Sequence, residues 1–582
     1  MKLKDLVSAA VVLVFIGIAV YIVIGWFQER NKLGTDTMEL REYYEVDSDK
    51  MLVFENGREK DKYYPYLDGH LYLPLDYVST KNDRFYWDEG IGKLIYTTGT
   101  RIEIIEPEKK FYTAEDGFVE EGSGQDGIEV PVDYVILREI DEVKYIAYDY
   151  AKDALNITVD MFFDPNRVVI RSKWSEYLFA KVSKDTQLRA AGNVKGEVLK
   201  ELPVGTKLEL TDSNGANRNG FLLALTEDGV LAYVDEKCLE DSYFETLESS
   251  YKEPAYSHKT FEGKINLVWN VIIARDKNND IQKLMKNTSG INILSPTWFN
   301  LKDEEGALDD RASADYVKYA HDNGMQVWAL VSNFHPGTNE LKINEEKLLS
   351  SRTKRAVLIK NIMNAADKYG FDGINVDFEN IAKATGPHYL QFIRELSVAC
   401  RLKDLYLSVD NFVPFDFNAY YDINEQSEFV DYIVIMAYDE HYVGSEAGSV
   451  SSLTYIKTAI ANTMKKVNKD QIVIGLPFYT RIWRVEQLTD GNHRTYSDTA
   501  TMPEAAKFIK DHNLQGNWYE DIAQYYYTAD EGDTTYKLWN EDLESMRAKL
   551  EQVRDAELAG VAAWRLGQED SGVWALITEH IH

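Results

Sequence analysis

The pattern of apolar and polar positions divides the chain into stretches of different period. Leu6 to Phe27 carries no charge. As a helix it is roughly 33 Å long, enough to cross a bilayer. Lys2 and Lys4 precede it, and Glu29, Arg30 and Lys32 follow. No Ala-x-Ala-like site ends it, so an uncleaved anchor is expected rather than a removable signal peptide. The expected location is the cell membrane, single-pass, with the remainder of the chain as a carboxy-terminal ectodomain outside. From about Glu39 to Ser172, short alternating runs such as His70-Leu-Tyr-Leu-Pro-Leu are separated by Gly, Asp and Asn, which predicts strands and turns. Leu71 to Ile105 and Tyr134 to Ile170 read as two copies of a strand, short helix and strand. Residues 177–243 predict another small β module, and a polar linker follows it.

From Thr260 onward, apolar strand-like runs alternate with amphipathic helical stretches. The runs begin at Ile265, Ile291, Gln326, Ile374, Leu405, Tyr432, Ile472 and Val561. Eight buried-type strands with intervening helices predict an α/β fold, a (β/α)8 TIM barrel. Gly324 and Gly370 stand where left-handed caps would close the helices before the third and fourth strands. The interval from Val485 to Gly560 is longer than one helix requires and predicts an inserted α+β subdomain at about 485–555. The domains read as 1–37 anchor and spacer, 38–176 β-rich accessory domain, 177–243 β module, 244–259 linker and 260–582 barrel.

Charge narrows the partners. Lys and Arg total 64 against 96 Asp and Glu, a formal charge of −32, so no nucleic-acid partner is expected. Aromatic residues make up 12%, with 38 Tyr and 11 Trp, which suits a sugar-stacking surface. Cys238 and Cys400 are too few for a disulfide framework or a cysteine zinc site and read as unpaired buried thiols.

The candidate chemistry lies on the fourth strand, Phe371-Asp-Gly-Ile-Asn-Val-Asp-Phe-Glu-Asn. Side chains alternate along a strand, so Asn375, Asp377 and Glu379 share the lumen face while Ile374, Val376 and Phe378 face the helices. Three polar groups stacked in a barrel cost several kcal/mol unless they are bonded or used. Active sites of such barrels lie at the carboxyl ends of the strands. Trp298, Phe334, Trp483 and Trp518 are candidate stacking surfaces for a ligand, with core filling as the alternative. His335 and His441 lack metal-ligand spacing and read as solvated or hydrogen-bonding residues, so no metal is expected.

Asp372-Gly-Ile-Asn-Val-Asp-Phe-Glu closely resembles the signature of family 18 glycoside hydrolases, Asp-Gly-x-Asp-x-Asp-x-Glu, except at Asn375. The resemblance covers Thr260 to His582. Met436-Ala-Tyr-Asp resembles the family's Met-x-Tyr-Asp, and Trp564 its floor for the central sugar. Asp439-Glu-His-Tyr, Gly475-Leu-Pro-Phe-Tyr-Thr-Arg and Trp539-Asn-Glu-Asp with Ser545 resemble the wall-active branch, which includes spore-cortex-lytic enzymes.

The resemblance implies a retaining O-glycosyl hydrolase in which the substrate's own acetamide is the nucleophile. It implies Glu379 as acid and base, Asp377 and Tyr438 as holders of the acetamide, Asp439 as support for that site, and Trp564 beneath the sugar, with no cofactor. Asn375 is expected to donate a hydrogen bond to Asp377. The implied partner is an N-acetylated polysaccharide, peptidoglycan preferred and chitin-type oligomers second. Residues 177–243 resemble bacterial SH3-like domains, and the preceding β region weakly resembles the amino-terminal module of copper amine oxidases, without metal-binding residues. A non-catalytic glycan-binding barrel is the alternative, against which the presence of Glu379 weighs.

Overall fold

The computed structural model describes residues 3–115, 127–211, 220–252, 256–334, 343–488 and 493–581. Leu3–Asn31 is one 29-residue helix. Its Ala10–Arg30 stretch is long and apolar enough to span a membrane.

Two compact units follow. One comprises Met1–Asp83, Pro107–Lys110 and Val132–Pro254; the other comprises Arg84–Glu106, Phe111–Pro131 and Ala255–His582. The first unit holds two seven-stranded sheets. Leu52, Phe54 and Val169 of one sheet share a core with Ala180, Leu188, Leu208 and Val234 of the other. Strand, short helix and strand recur at His70–Asp88 and Val143–Phe162, but the closing strands, Phe85–Asp88 and Thr158–Phe162, join different sheets.

The second unit contains the barrel. Its strands are β1 (Ile265–Asn270), β2 (Ile293–Pro296), β3 (Gln326–Ser332), β4 (Gly373–Asp377), β5 (Tyr406–Phe412), β6 (Tyr432–Met436), β7 (Ile472–Pro477) and β8 (Gly560–Trp564). Each pairs in parallel with the next, and β8 returns to β1, so the eight expected strands close a TIM barrel. The lower lumen is filled by Leu267, Trp328, Leu330, Tyr406, Tyr432 and Val434. Between β7 and β8, Tyr479 to Trp539 forms a five-stranded antiparallel sheet with the helix Met502–Asp511; it starts before the interval 485–555 read from the sequence, and the end of that interval is the helix Leu543–Asp555.

Two glycines set the entry to β4. Gly370, at φ +73°, ends helix α1 (Arg352–Tyr369) in the left-handed region that favours glycine. A Cβ on Gly373 would stand 2.7 Å from Trp328 Cδ1 and 2.9 Å from Tyr406 Cβ, so the lumen aromatics pack only over a bare backbone.

The accessory region is not the contiguous 38–176 domain expected from the sequence. Its middle strands, Phe85–Asp88, Lys93–Thr97, Ile102–Ile105, Phe111–Glu115 and Ile128–Pro131, form a separate sheet that packs on the barrel helices. Tyr86, Ile95 and Ile102 meet Val398 of helix α2 (Gly386–Leu402). The Asp88 side chain accepts from the backbone N–H of Arg352 (2.7 Å) and from Arg355 Nη2 (3.0 Å). Glu395 binds Arg355 and Arg352, Glu115 binds Arg352, and Arg84 and Arg394 converge on Glu425. Burial alone would raise the Glu395 carboxyl, but the Arg355 and Arg352 guanidiniums outweigh it and hold it below its usual range.

Candidate active site

The site grows from the carboxyl end of β4, all of whose residues are buried. Asn375 is 0% exposed and Asp377 3%. The Asn375 carbonyl accepts from Trp269 Nε1 (2.9 Å) and Ser295 Oγ (3.0 Å). Its amide donates to Ser408 Oγ (3.0 Å) and Asp410 Oδ1 (2.6 Å). The expected Asn375–Asp377 bond is therefore absent, because both amide hydrogens are committed to β5.

That strand brings in a carboxylate which the sequence reading passed over, Asp410, 2% exposed. The alternation that placed Asp377 would have found it, since Ser408 and Asp410 lie on one face two residues apart. Burial, the Glu379 charge and the Asp410 charge, in that order, hold Asp377 well above the usual carboxylate range. Burial raises Asp410 likewise, against the bond from Asn375.

Glu379 follows β4 and is only partly exposed. Burial, with a contribution from Asp439, pushes its carboxyl up to about 7. Its backbone is clamped by Asn333, just past β3, which the sequence reading also missed. Glu379 N–H donates to Asn333 Oδ1 (2.9 Å), and Asn333 Nδ2 donates to Glu379 carbonyl (2.8 Å) and to Glu345 (3.1 Å).

Past β6, Tyr438 packs edge-on to Trp269 and Tyr479, with ring centroids 6.4 Å apart in each pair. Asp439 is backbone-strained at φ +54°. It accepts from Tyr479 hydroxyl (2.8 Å) and Arg481 Nη2 (3.1 Å). Trp564, at the end of β8, is partly exposed, its ring 5.8 Å from Trp269. Phe334 lies two residues past β3, its carbonyl held by Asn300 and Ser332.

Two aromatic candidates leave the site. Trp298 is 0% exposed, packs on Tyr316 and Phe371, and donates to Asn278 (2.7 Å). Trp483 is 1% exposed and donates to the Gly448 carbonyl (2.9 Å). Neither ring has a face open to a sugar, so both fill cores. Trp518 lies in the inserted sheet against Tyr525. His441 Nδ1 meets the Glu446 carbonyl at 3.0 Å, and His335 lies outside the described residues. The Trp539-to-Ser545 segment starts a helix: Asp542 caps Leu543–Asp555, while Glu541 pairs with Lys549 in full burial.

Comparison with known proteins follows this geometry. The profile of "Glycosyl hydrolases family 18" matches residues 336–569. The chain is 23% identical over 303 residues to the "Uncharacterized glycosylase YvbX" of Bacillus subtilis (strain 168), covering 50% of this chain and 86% of that protein. It is 25% identical over 243 residues to the "Cortical fragment-lytic enzyme" of the same organism, covering 40% of this chain and 56% of the relative. The solved C-terminal domain of a candidate chitinase from Desulfitobacterium hafniense DCB-2 superposes with a TM-score of 0.50 at 21% identity, over 55% of this chain and all of that one. That likeness is one of fold. The segment matched by that profile runs from before β4 to beyond β8 of the closed barrel and includes Asp377, Glu379, Tyr438, Asp439 and Trp564.

Proposed function

We propose that the chain is a membrane-anchored, retaining glycosidase that cleaves N-acetylglucosamine-containing glycan, peptidoglycan in preference to chitin-type oligomers. The observation that carries this reading is Glu379, a carboxyl pushed up to about 7 at the mouth of the barrel, two residues from a buried Asp377. An acid so poised is still protonated near neutral pH and can release its proton in a reaction.

In this reading the acetamide oxygen of the −1 sugar bonds to the anomeric carbon as the glycosidic C–O bond breaks. Glu379 gives its proton to the departing oxygen. Water then attacks the anomeric carbon, the oxazolinium C–O bond opens, and Glu379 takes the water's proton, so configuration is retained. Asp377 accepts the acetamide N–H and stabilises the positive charge that develops there. Tyr438 donates to the acetamide oxygen, Trp564 lies beneath the ring, and Asp439 is held in place by Tyr479 and Arg481.

The wall-glycan preference is supported by the likeness to a cortical fragment-lytic enzyme and by the anchor-like helix. The antiparallel strands between Glu176 and Thr246 fit an SH3-like module beside such an enzyme. The test is digestion of purified peptidoglycan and of N-acetylglucosamine oligomers, with identification of the new reducing ends. Glu379→Gln, folded and still binding sugar, should lose roughly 10²–10⁴-fold in turnover. Turnover like that of the wild type would remove Glu379 from the mechanism, and no cleavage of either substrate by the wild type would remove the activity.

A further inference from the structure

Two lumen carboxylates on adjacent strands each keep one buried oxygen that makes no hydrogen bond. The β4–β5 register pairs Asn375 with Ser408 and Val376 with Val409, which sets Asp377 beside Asp410 one step further on. Adjacent strands lie about 4.8 Å apart, and side chains at matched positions point to the same face. Asp377 is 3% exposed and Asp410 2%. Asp377 Oδ1 and Asp410 Oδ2 are both buried and make no hydrogen bond. The remaining capacity of Asn375 is spent on Trp269, Ser295, Ser408 and the other Asp410 oxygen. The titratable groups that act on the pair are Glu379 above it and the hydroxyls of Tyr389, Tyr421 and Tyr438 around it. None is a cation. Two ionised carboxylates side by side in such a place would cost many kcal/mol, whereas one proton between them satisfies both free oxygens.

We propose that Asp410 is the proton partner of Asp377, a positioning residue on β5 that supplies the second acid which Asn375 does not. One proton is held by the pair throughout. In the resting site it lies between the two free oxygens. When the acetamide N–H turns toward Asp377, that proton resides on Asp410, leaving Asp377 as the carboxylate acceptor. When the product leaves, the proton is shared again. Only O–H bonds change, and the pair keeps a charge of −1. Asn375 orients the arrangement by donating to the Asp410 oxygen that is not shared. The inference rests on the glycosidase reading for its catalytic consequence, but the shared proton itself does not.

The experiment therefore has two readouts. The first is the pH dependence of kcat/KM on N-acetylglucosamine oligomers. Asp410→Asn should lower kcat/KM roughly tenfold or more. It should also move the acidic limb to higher pH, because Asp377 must then ionise without a proton-sharing neighbour. Asp410→Leu should move that limb further. Adding Asn375→Asp to Asp410→Asn returns a second carboxyl to the cluster from the other side and should recover most of the loss. A folded Asp410→Asn enzyme with a uniformly scaled, unshifted profile would overturn the proposal, as would a double variant no better than the single one.

The second readout needs no turnover. In a Glu379→Gln background near pH 6, infrared difference spectra should show a deuterium-sensitive band of a carboxylic acid hydrogen-bonded to a second carboxyl, and in Asp410→Asn it should give way to the band of Asp377 alone at a different frequency. Absence of the band, or a band unchanged in frequency in Asp410→Asn, would overturn the pairing whether or not the chain is a glycosidase. Loss of activity in every form, with the band behaving as expected, would instead count against the reaction and leave the pairing standing.

Discussion

Glu379 binds its proton more tightly in the folded chain than in the unfolded one, where a glutamate titrates near 4.3. Its folded value of about 7 therefore has a cost in stability. The benefit of the tighter proton is fully present below about pH 4, where both states are protonated, and it is lost as pH rises through about 7. Gln at this position mimics the neutral form at every pH. Glu379→Gln should match the wild type in thermal stability near pH 4 and exceed it near pH 8, by of order 2 kcal/mol after allowing for partial exposure. Equal melting at both pH values would mean that the carboxyl is not raised. At this scale the sequence disclosed Asp377 and Glu379, because period two along one strand is a local property. It misassigned the partner of Asn375 for a geometric reason. A residue two positions along a strand is about 6.8 Å away, whereas the neighbouring strand is only about 4.8 Å away. The amide of Asn375 therefore reaches Ser408 and Asp410 before it reaches Asp377. Trp298 and Trp483 were misread because composition reports an aromatic ring but not whether a face is open.

The elements differ in how much of their placement is written locally. Each barrel strand announces itself by an apolar run, β3 and β4 also by a glycine (Gly324, Gly370) that closes the helix before them, and the order of parallel neighbours follows the order along the chain. The sheet from Phe85 to Pro131 has no such signal. Its partners are Arg352, Arg355 and Gln391, more than two hundred residues later, and single charged positions such as Asp88 and Glu115 read as ordinary surface residues until those partners are in place. Arg355, with no side-chain exposure, bonds both Asp88 and Glu395, which are equally buried. Arg355→Met would leave two acids facing an apolar group, and breaking one side of such a cluster costs about 3–5 kcal/mol. Urea unfolding of the variant should report a loss of that size at neutral pH; a change below about 1 kcal/mol would mean that water or Arg352 compensates. Because the Glu395 carboxyl is depressed, its contribution is present above its ordinary range near 4.3 and disappears only as pH falls through the lower folded value. Acid destabilisation by this cluster is thus expected below about pH 4 in the wild type and should be largely missing from the variant.

At the scale of the whole molecule, the proposed role requires the acidic chain to lie on the wall side of a membrane. The Ala10–Arg30 stretch has the length and apolarity to span one, while Lys2 and Lys4 on one flank nearly balance Arg30 and Lys32 on the other. Charge alone therefore leaves the orientation weakly determined. Export of a long following domain proceeds largely regardless of its charge, so the excess of 96 acidic over 64 basic residues does not oppose it. External protease added to intact, wall-stripped cells should degrade the barrel while a tag at the amino terminus stays protected. The chain should also remain with the membrane fraction after high-salt washing, since a spanning helix is not held by screened charges. A barrel protected until the cells are lysed would reverse the orientation and remove the wall from its reach. Recovery of the ectodomain in the medium with a new amino terminus just past the helix would identify Leu3–Asn31 as a cleaved signal instead. The barrel's chemistry would then stand, but the enzyme would act at a distance from the membrane rather than within the span of a tether.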